Sequence, residues 1–197
     1  MEDVMRSHDG PVMTGKRPRG EVSRRPAGPT ESEAISCRGM LMAGNGITDG
    51  VPESGVYVLV ARLSRAMTIR VGSLGEKSLR KGRYAYVGRA KKGLRARLAR
   101  HVRKEGKRLR WHIDHLLEAA VLEEIWILPL ETGECETASG MAARGGDRDG
   151  LRGFGSGDCR CPGHLLYLGG KRPAPPADVL LSVRVPGGGV RPREIGG

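Results

Sequence analysis

Apolar and polar positions change period several times along the chain, and each change marks an element. Residues 55–61 (GVYVLVA) form a β-branched and aromatic run of strand length. Residues 68–71 alternate polar with apolar, which predicts a second strand, and residues 82–88 (GRYAYVG) predict a third. Leu94, Leu98 and Val102 then recur at i, i+4 and i+8 with Arg or Lys on most positions between them. That is the pattern of an amphipathic helix with a basic outer face. Residues 111–120 read as a second helix with Ile113, Leu116 and Leu117 apolar, and Val121–Leu128 as a fourth strand. Glu134–Ala143 is a weaker helix, because Gly140 interrupts it. Residues 153–163 form a Gly- and Cys-rich loop, residues 164–168 a short strand, and residues 179–185 can pair as an edge strand. Early hairpins followed by helices imply an α+β fold, a small mainly antiparallel sheet flanked by helices.

Composition confines the domain to residues 53–169. The chain has 197 residues, enough for one ordinary domain plus tails. Its 31 Gly and 12 Pro are about twice the usual share and cluster at the two ends. Residues 1–52 carry Pro, Gly, Ser, Arg and scattered acids without an apolar period, and read as a disordered lead. Met40 and Met42 offer an alternative start, which would leave what precedes them untranslated. Residues 170–197 read as a Pro- and Gly-rich tail. The formal net charge of +12 is concentrated, since residues 51–100 sum to +11 and residues 101–150 to −3. A like-charged block inside a folded region suits a polyanion: a phosphate backbone first, an anionic membrane surface second. A merely solvated basic face is the plain alternative. No apolar run approaches the ~20 residues that span a bilayer, and Glu2 and Asp3 open the chain without an apolar stretch behind them. Neither a membrane span nor a secretory signal is therefore expected. That places the chain in the cytoplasm, with its four cysteines as reduced thiols or metal ligands.

All four tyrosines fall in this domain, and two of them sit in glycine triplets: GVY at 55–57 and YVG at 86–88. The second triplet runs into RAKKGLRARLARH, a helix that carries Arg95, Arg97, Arg100, His101 and Arg103. Here the chain resembles the GIY-YIG nuclease superfamily, and within it a GIY-YIG-like domain subfamily of archaea and bacteria. The subfamily likeness rests on Trp111-His112-Ile113-Asp114, on Glu134-Cys135-Glu136, and on the loop at 153–161 with His164 behind it. It covers about residues 54–168.

The resemblance implies a metal-dependent endonuclease cutting phosphodiester bonds in DNA, with RNA not excluded, in repair or recombination. Tyr57 or Tyr86, with a metal-bound water, would activate the nucleophile; Arg97 would hold the scissile phosphate and His101 would follow one turn later. Glu134 or Glu136 would hold one Mg2+ or Mn2+. Arg89, Lys91, Lys92, Arg95, Arg100 and Arg103 would contact the nucleic-acid backbone. Three features depart from the superfamily pattern. Tyr57 and Tyr86 are 29 residues apart, which implies an inserted strand, Ser156 and Asp158 stand where an asparagine is usual, and Gly140 breaks the glutamate-bearing helix. They favour, as an alternative, a nucleic-acid-binding module on the same fold without cleavage. Plainer roles exist for single residues too: strand tyrosines as packing groups, helix arginines as solvated charges, His112 packing on Trp111 or capping a helix, and His115 as structural.

Cys159-x-Cys161-x-x-His164 places three soft ligands within six residues, and Cys135 can supply a fourth. Cys3His is a structural zinc set; buried thiols beside a loop histidine are the alternative. A zinc-stabilised docking module is the third functional reading. Cys37 lies in the lead and takes no part, and the glycine string at 187–189 lacks the strand and the Lys-Ser or Lys-Thr of a phosphate loop.

Overall fold

The structure, a computed structural model, describes residues 50–148 and 150–186. The expectations for Cys37, Met40, Met42, the rest of the lead before Gly50 and the glycine string at 187–189 lie outside the described residues.

Strand β1 (Gly55–Leu63) leads through a small hairpin, β2 (Met67–Arg70) and β3 (Glu76–Leu79), to β4 (Gly82–Ala90). Helices α1 (Leu94–Val102) and α2 (His112–Ala119) follow, then β5 (Val121–Leu128), α3 (Glu134–Ala143), β6 (Leu165–Gly169) and β7 (Leu181–Arg184). Five strands form one antiparallel sheet in the order β6-β4-β1-β5-β7, and β2-β3 form a sheet of their own. The fold is α+β.

The centre of the sheet is β1, apolar on both faces for that reason. Its period of two divides its side chains between two cores. Val56, Val58 and Val60 pack with Val87, Trp126 and, from α3, Ala138 and Met141. Tyr57, Leu59, Ala61 and Leu63 pack with Leu94 and Leu98 of α1 and with Ile113 and Leu116 of α2. Each large side chain so buried contributes on the order of 1.5–3 kcal/mol.

Four details differ from the sequence reading. The strand expected at 68–71 is half of a hairpin; its partner β3 (EKSL) buries only Leu79, so no apolar period betrays it. This hairpin is the insertion that separates Tyr57 from Tyr86. The buried stripe of α1 is Leu94, Leu98 and His101, with Val102 half-buried. Helix α3 runs unbroken through Gly140. A glycine costs only about 1 kcal/mol of helix propensity, and packing of Ala138 and Met141 on the sheet outweighs that. Finally, the sheet runs past residue 169: the edge strand expected at 179–185 forms as β7 and pairs with β5, so the sheet extends to Arg184. Among the described residues no helix is long and apolar enough to cross a membrane.

Candidate active site and metal centre

The two glycine triplets meet across the β1–β4 ladder, where Tyr57 faces Gly88. A Cβ on Gly88 would lie 2.5 Å from the Tyr57 ring, so the glycine is what lets the ring lie across β4. The ring reaches α1, and Tyr57 Oη lies 3.1 Å from His101 Nε2, both residues buried. Burial pushes the Tyr57 hydroxyl up to about 12, against the pull of the neighbouring Arg97. Burial likewise pushes His101 down to about 3, so both groups are neutral at pH 7. His101 Nδ1 is buried without a hydrogen-bond partner.

Arg97 sits one turn before His101. Its Nη1 donates to the Arg89 carbonyl at 3.0 Å, its Cζ lies 5.0 Å from the centre of the Trp111 ring, and no carboxylate pairs with it among the described residues. Tyr86 is half-buried at the edge of Phe154, and burial raises its hydroxyl, with Tyr57 and Glu134 adding to the effect.

The structure separates the two glutamates. Glu134, the first residue of α3, is half-buried and adds negative potential at both Tyr57 and Tyr86. Its Oε2 lies 3.8 Å from Arg89 Nε and its Oε1 3.5 Å from His164 Nδ1. Glu136 is exposed and folds back over Gly133, where its Oε2 would touch an added Cβ at 2.1 Å. Glu134 therefore belongs with the tyrosines and Arg97, and Glu136 stands apart.

Of the basic residues expected on the surface, Arg89, Lys91, Lys92, Arg95 and Arg103 are exposed. Arg100 is not a free cation. Its Nη2 donates to Asp114 Oδ2 at 2.6 Å, and its Cζ lies 4.6 Å from the Trp111 ring centre. Asp114 is wholly buried; its Oδ2 also accepts from the backbone N–H of Arg110 and Trp111, and its Oδ1 lies 3.6 Å from the buried Lys107 Nζ. Burial acts to raise the Asp114 carboxyl, but those N–H groups and cations outweigh it and hold it below the usual range. Asp114 thus anchors the 103–111 segment to α2. Beside it lies a depression of about 560 Å³ lined by Arg100, Arg108, Leu109, Arg110 and Trp111.

The second centre lies on the other side of Glu134. Cys135, Cys159, Cys161 and His164 bring their ligand atoms within 4.8 Å of one another. His164 Nε2 is 3.7 Å from Cys135 Sγ, 3.5 Å from Cys159 Sγ and 3.4 Å from Cys161 Sγ. A tetrahedral ion with ordinary Zn–S and Zn–N bonds sets that edge at ~3.6 Å. Cys161 Sγ lies 2.8 Å from Cys135 Sγ and 3.0 Å from Cys159 Sγ. These pairs are far beyond disulfide length and open by under ~1 Å to admit an ion. The group can hold a metal, and three sulfurs favour zinc over magnesium. The loop that brings the two later cysteines is pinned by His112, whose Nδ1 accepts from the Gly155 N–H at 3.1 Å and whose ring meets Phe154 edge-on. His112 is therefore a loop anchor. Gly155 has φ +77, and a Cβ there would lie 2.7 Å from the Tyr86 ring.

A family model described as domain of unknown function DUF123 matches residues 56–180, well over half the chain and four of the five strands of the sheet. The chain belongs to the DUF123 family. DUF123 is a GIY-YIG-like family of unknown function. No curated protein and no solved structure matches the chain. The DUF123 match spans both centres, since Tyr57, Arg97, Glu134 and all four candidate metal ligands fall within it.

Proposed function

We propose that this DUF123 chain binds nucleic acid, DNA in the first place, and cuts its phosphodiester backbone with one Mg2+ or Mn2+ held by Glu134. In the same reading, Cys135, Cys159, Cys161 and His164 hold a structural Zn2+. The observation that carries the reading is the convergence of Tyr57, His101, Arg97 and Glu134 from β1, α1 and α3 beside exposed Arg89, Lys91 and Lys92.

Each group suits one task. Glu134 fits a hard cation, since among the described residues neither of its oxygens accepts a hydrogen bond and a single carboxylate suits an ion that keeps most of its waters. Such an ion supplies an acidified water and neutralises phosphoryl charge. Arg97 turns its fork from the Arg89 carbonyl to the phosphate, whose geometry it matches. As the water oxygen bonds to phosphorus, Tyr57 would accept its proton and pass its own to His101 Nε2, the nitrogen it already faces, while the P–O bond to the leaving alkoxide breaks and the alkoxide takes a proton from solvent. Negative charge gathering on the phosphate raises the proton affinity of His101 as this happens.

A second reading, a clamp without cleavage, is favoured by one observation: Arg89 Nε stands 3.8 Å from Glu134, where it competes with a metal ion. Labelled single-stranded, duplex, flap and branched DNA, incubated with Mg2+ or Mn2+, distinguish the two. Cutting by the wild type that Glu134→Gln lacks supports the nuclease. Tight binding without cutting, the same in both proteins, establishes the clamp.

A further inference from the structure

We infer that Glu134 and His164 link the two centres, with His164 binding metal through Nε2 and donating Nδ1–H to Glu134, so that the sulfur centre positions the active-site carboxylate. The cleavage half of this inference rests on the nuclease reading; the link itself does not.

The argument starts from a histidine with nowhere else to go. His164 is 1% exposed. Its backbone is fixed on both sides, its N–H donating to the Phe154 carbonyl at 2.7 Å and its carbonyl accepting from the Val87 N–H at 2.9 Å. One ring nitrogen faces three sulfurs at 3.4–3.7 Å. The other, Nδ1, is buried without a hydrogen bond and lies 3.5 Å from Glu134 Oε1. A buried polar atom rarely stays unpartnered.

Metal coordination resolves the ambiguity. An ion on Nε2 excludes a proton there, so the neutral ring carries its proton on Nδ1, the side that faces Glu134. A short shift of the carboxylate, ~0.5 Å, completes a normal hydrogen bond. This is the carboxylate–histidine pairing that orients metal-bound imidazoles. Sequence adjacency tightens the coupling, because Cys135 is the next residue after Glu134 on the first turn of α3. That turn begins at Gly133, which offers no side-chain cap. Ligation of Cys135 therefore holds the turn, and His164 sets the carboxylate on it. Oε1 faces His164, and Oε2 is left for a hard cation once the exposed Arg89 swings aside.

The test uses the full chain loaded with one zinc per molecule. Zinc affinity is measured by competition with a chromophoric chelator for the wild type, Glu134→Gln and Glu136→Gln. The link predicts a 10–100-fold loss in Glu134→Gln, the range of an outer carboxylate partner, and wild-type affinity in Glu136→Gln. Equal zinc affinity in wild type and Glu134→Gln overturns it. A second arm uses His164→Cys, which keeps four zinc ligands but has no Nδ1. Mn2+ binding, read from the resonance of the free ion, is expected to weaken at least tenfold in this zinc-loaded variant; unchanged Mn2+ binding overturns the positioning role. If the wild type binds no Mn2+ at all, the nuclease reading fails, and the chelator competition alone decides the link.

Discussion

The two ends of the β1–β4 pair use their arginines in opposite ways. At the far end Arg62 and Arg83 pair across the strands and both donate to one carboxylate, Arg62 Nε to Glu123 Oε1 at 2.6 Å and Arg83 Nε to Glu123 Oε2 at 2.7 Å. Arg172 meets Glu124, which also accepts from Trp126 Nε1. Glu123 is the extra residue of a bulge, because Val60 pairs with Glu124 and Ala61 already with Leu122. Arg62, Arg83, Glu123, Arg172 and Arg184 line a cavity of about 310 Å³. At the near end, by contrast, of Arg89, Lys91, Lys92, Arg95 and Arg97 only Arg89 meets a carboxylate among the described residues, Glu134 at 3.8 Å, and the nearby Glu53 is engaged by the Gly93 N–H at the start of α1. A charge sum along the chain counts both ends alike. The fold does not: β5 carries acids from outside the basic block to the far end, and leaves the near end positive. On the proposed nucleic-acid reading, this excess charge directs the polyanion to the end where Tyr57 and Glu134 stand.

The strongest way to break this contrast is to remove a carboxylate. Asp114→Ala removes the one carboxylate that Arg100 and the buried Lys107 share next to the near end, which is expected to cost about 3–5 kcal/mol. Glu123→Ala at the far end is expected to cost about 1 kcal/mol, since Arg62 and Arg83 can turn to water. Chemical denaturation measures both; similar losses at the two ends would show that burial does not separate them as argued.

Next in size is Arg97→Ala. If Arg97 meets the phosphate as charge develops, cleavage falls about 10²–10³-fold while binding changes little. Arg83→Ala, its counterpart at the far end, should leave cleavage intact. Single-turnover cleavage beside an equilibrium binding assay checks this, and equal loss of cutting and binding in Arg97→Ala removes its specific role.

Acid sharpens the comparison in a different way, because the two ends titrate in different windows. His101 is lowered from 6.5 to about 3, so on acidification the unfolded chain takes up its proton first. Stability is full above pH 6.5 and falls as pH drops toward 3, with a slope of up to ~1.4 kcal/mol per pH unit. For Glu123, burial acts to raise the carboxyl, but Arg83 and Arg62 outweigh it and hold it below 4.5. Its contribution is present above 4.5 and is lost only as pH falls further. Between pH 6.5 and 4.5 His101 therefore responds, together with His112 and His164, which burial also lowers, and Glu123 does not. Melting curves across that range should become shallower in His101→Gln and keep their slope in Glu123→Gln.

These contrasts also show which parts of the protein are legible in its sequence. Strands β1, β4 and β5 announce themselves because burial on one or both faces demands apolar residues at period one or two. Strand β3 does not, because only Leu79 of its four residues is buried. The cysteine centre is legible because Cys159, Cys161 and His164 are close in sequence and their ligand chemistry is narrow. The choice of Glu134 over Glu136 is not, since residues two apart on a helix point ~200° away from each other and α3 has no strong apolar stripe to set its phase. Nor is the commitment of Arg100 to Asp114 visible, because helix arginines look alike until a buried carboxylate from α2 selects one. What sequence hides here is pairing across elements.

The smallest expected effect tests the comparison most directly, because it needs no catalysis. Each phosphate that a variant no longer neutralises reduces the slope of log affinity against log salt by roughly 0.9 for duplex DNA. Replacing Arg89, Lys91 and Lys92 together by alanine should therefore flatten the slope by roughly two to three units, with little effect on folding, since all three are exposed. Replacing Arg62, Arg172 and Arg184 by alanine removes the same formal charge. Two of those arginines are already matched by Glu123 and Glu124, so the slope should change by less than about one unit. A triple far-end variant with the larger change would move the nucleic-acid path to the Arg62 cavity. Equal changes would mean that the field of the whole chain, and not the near end, draws the polyanion in.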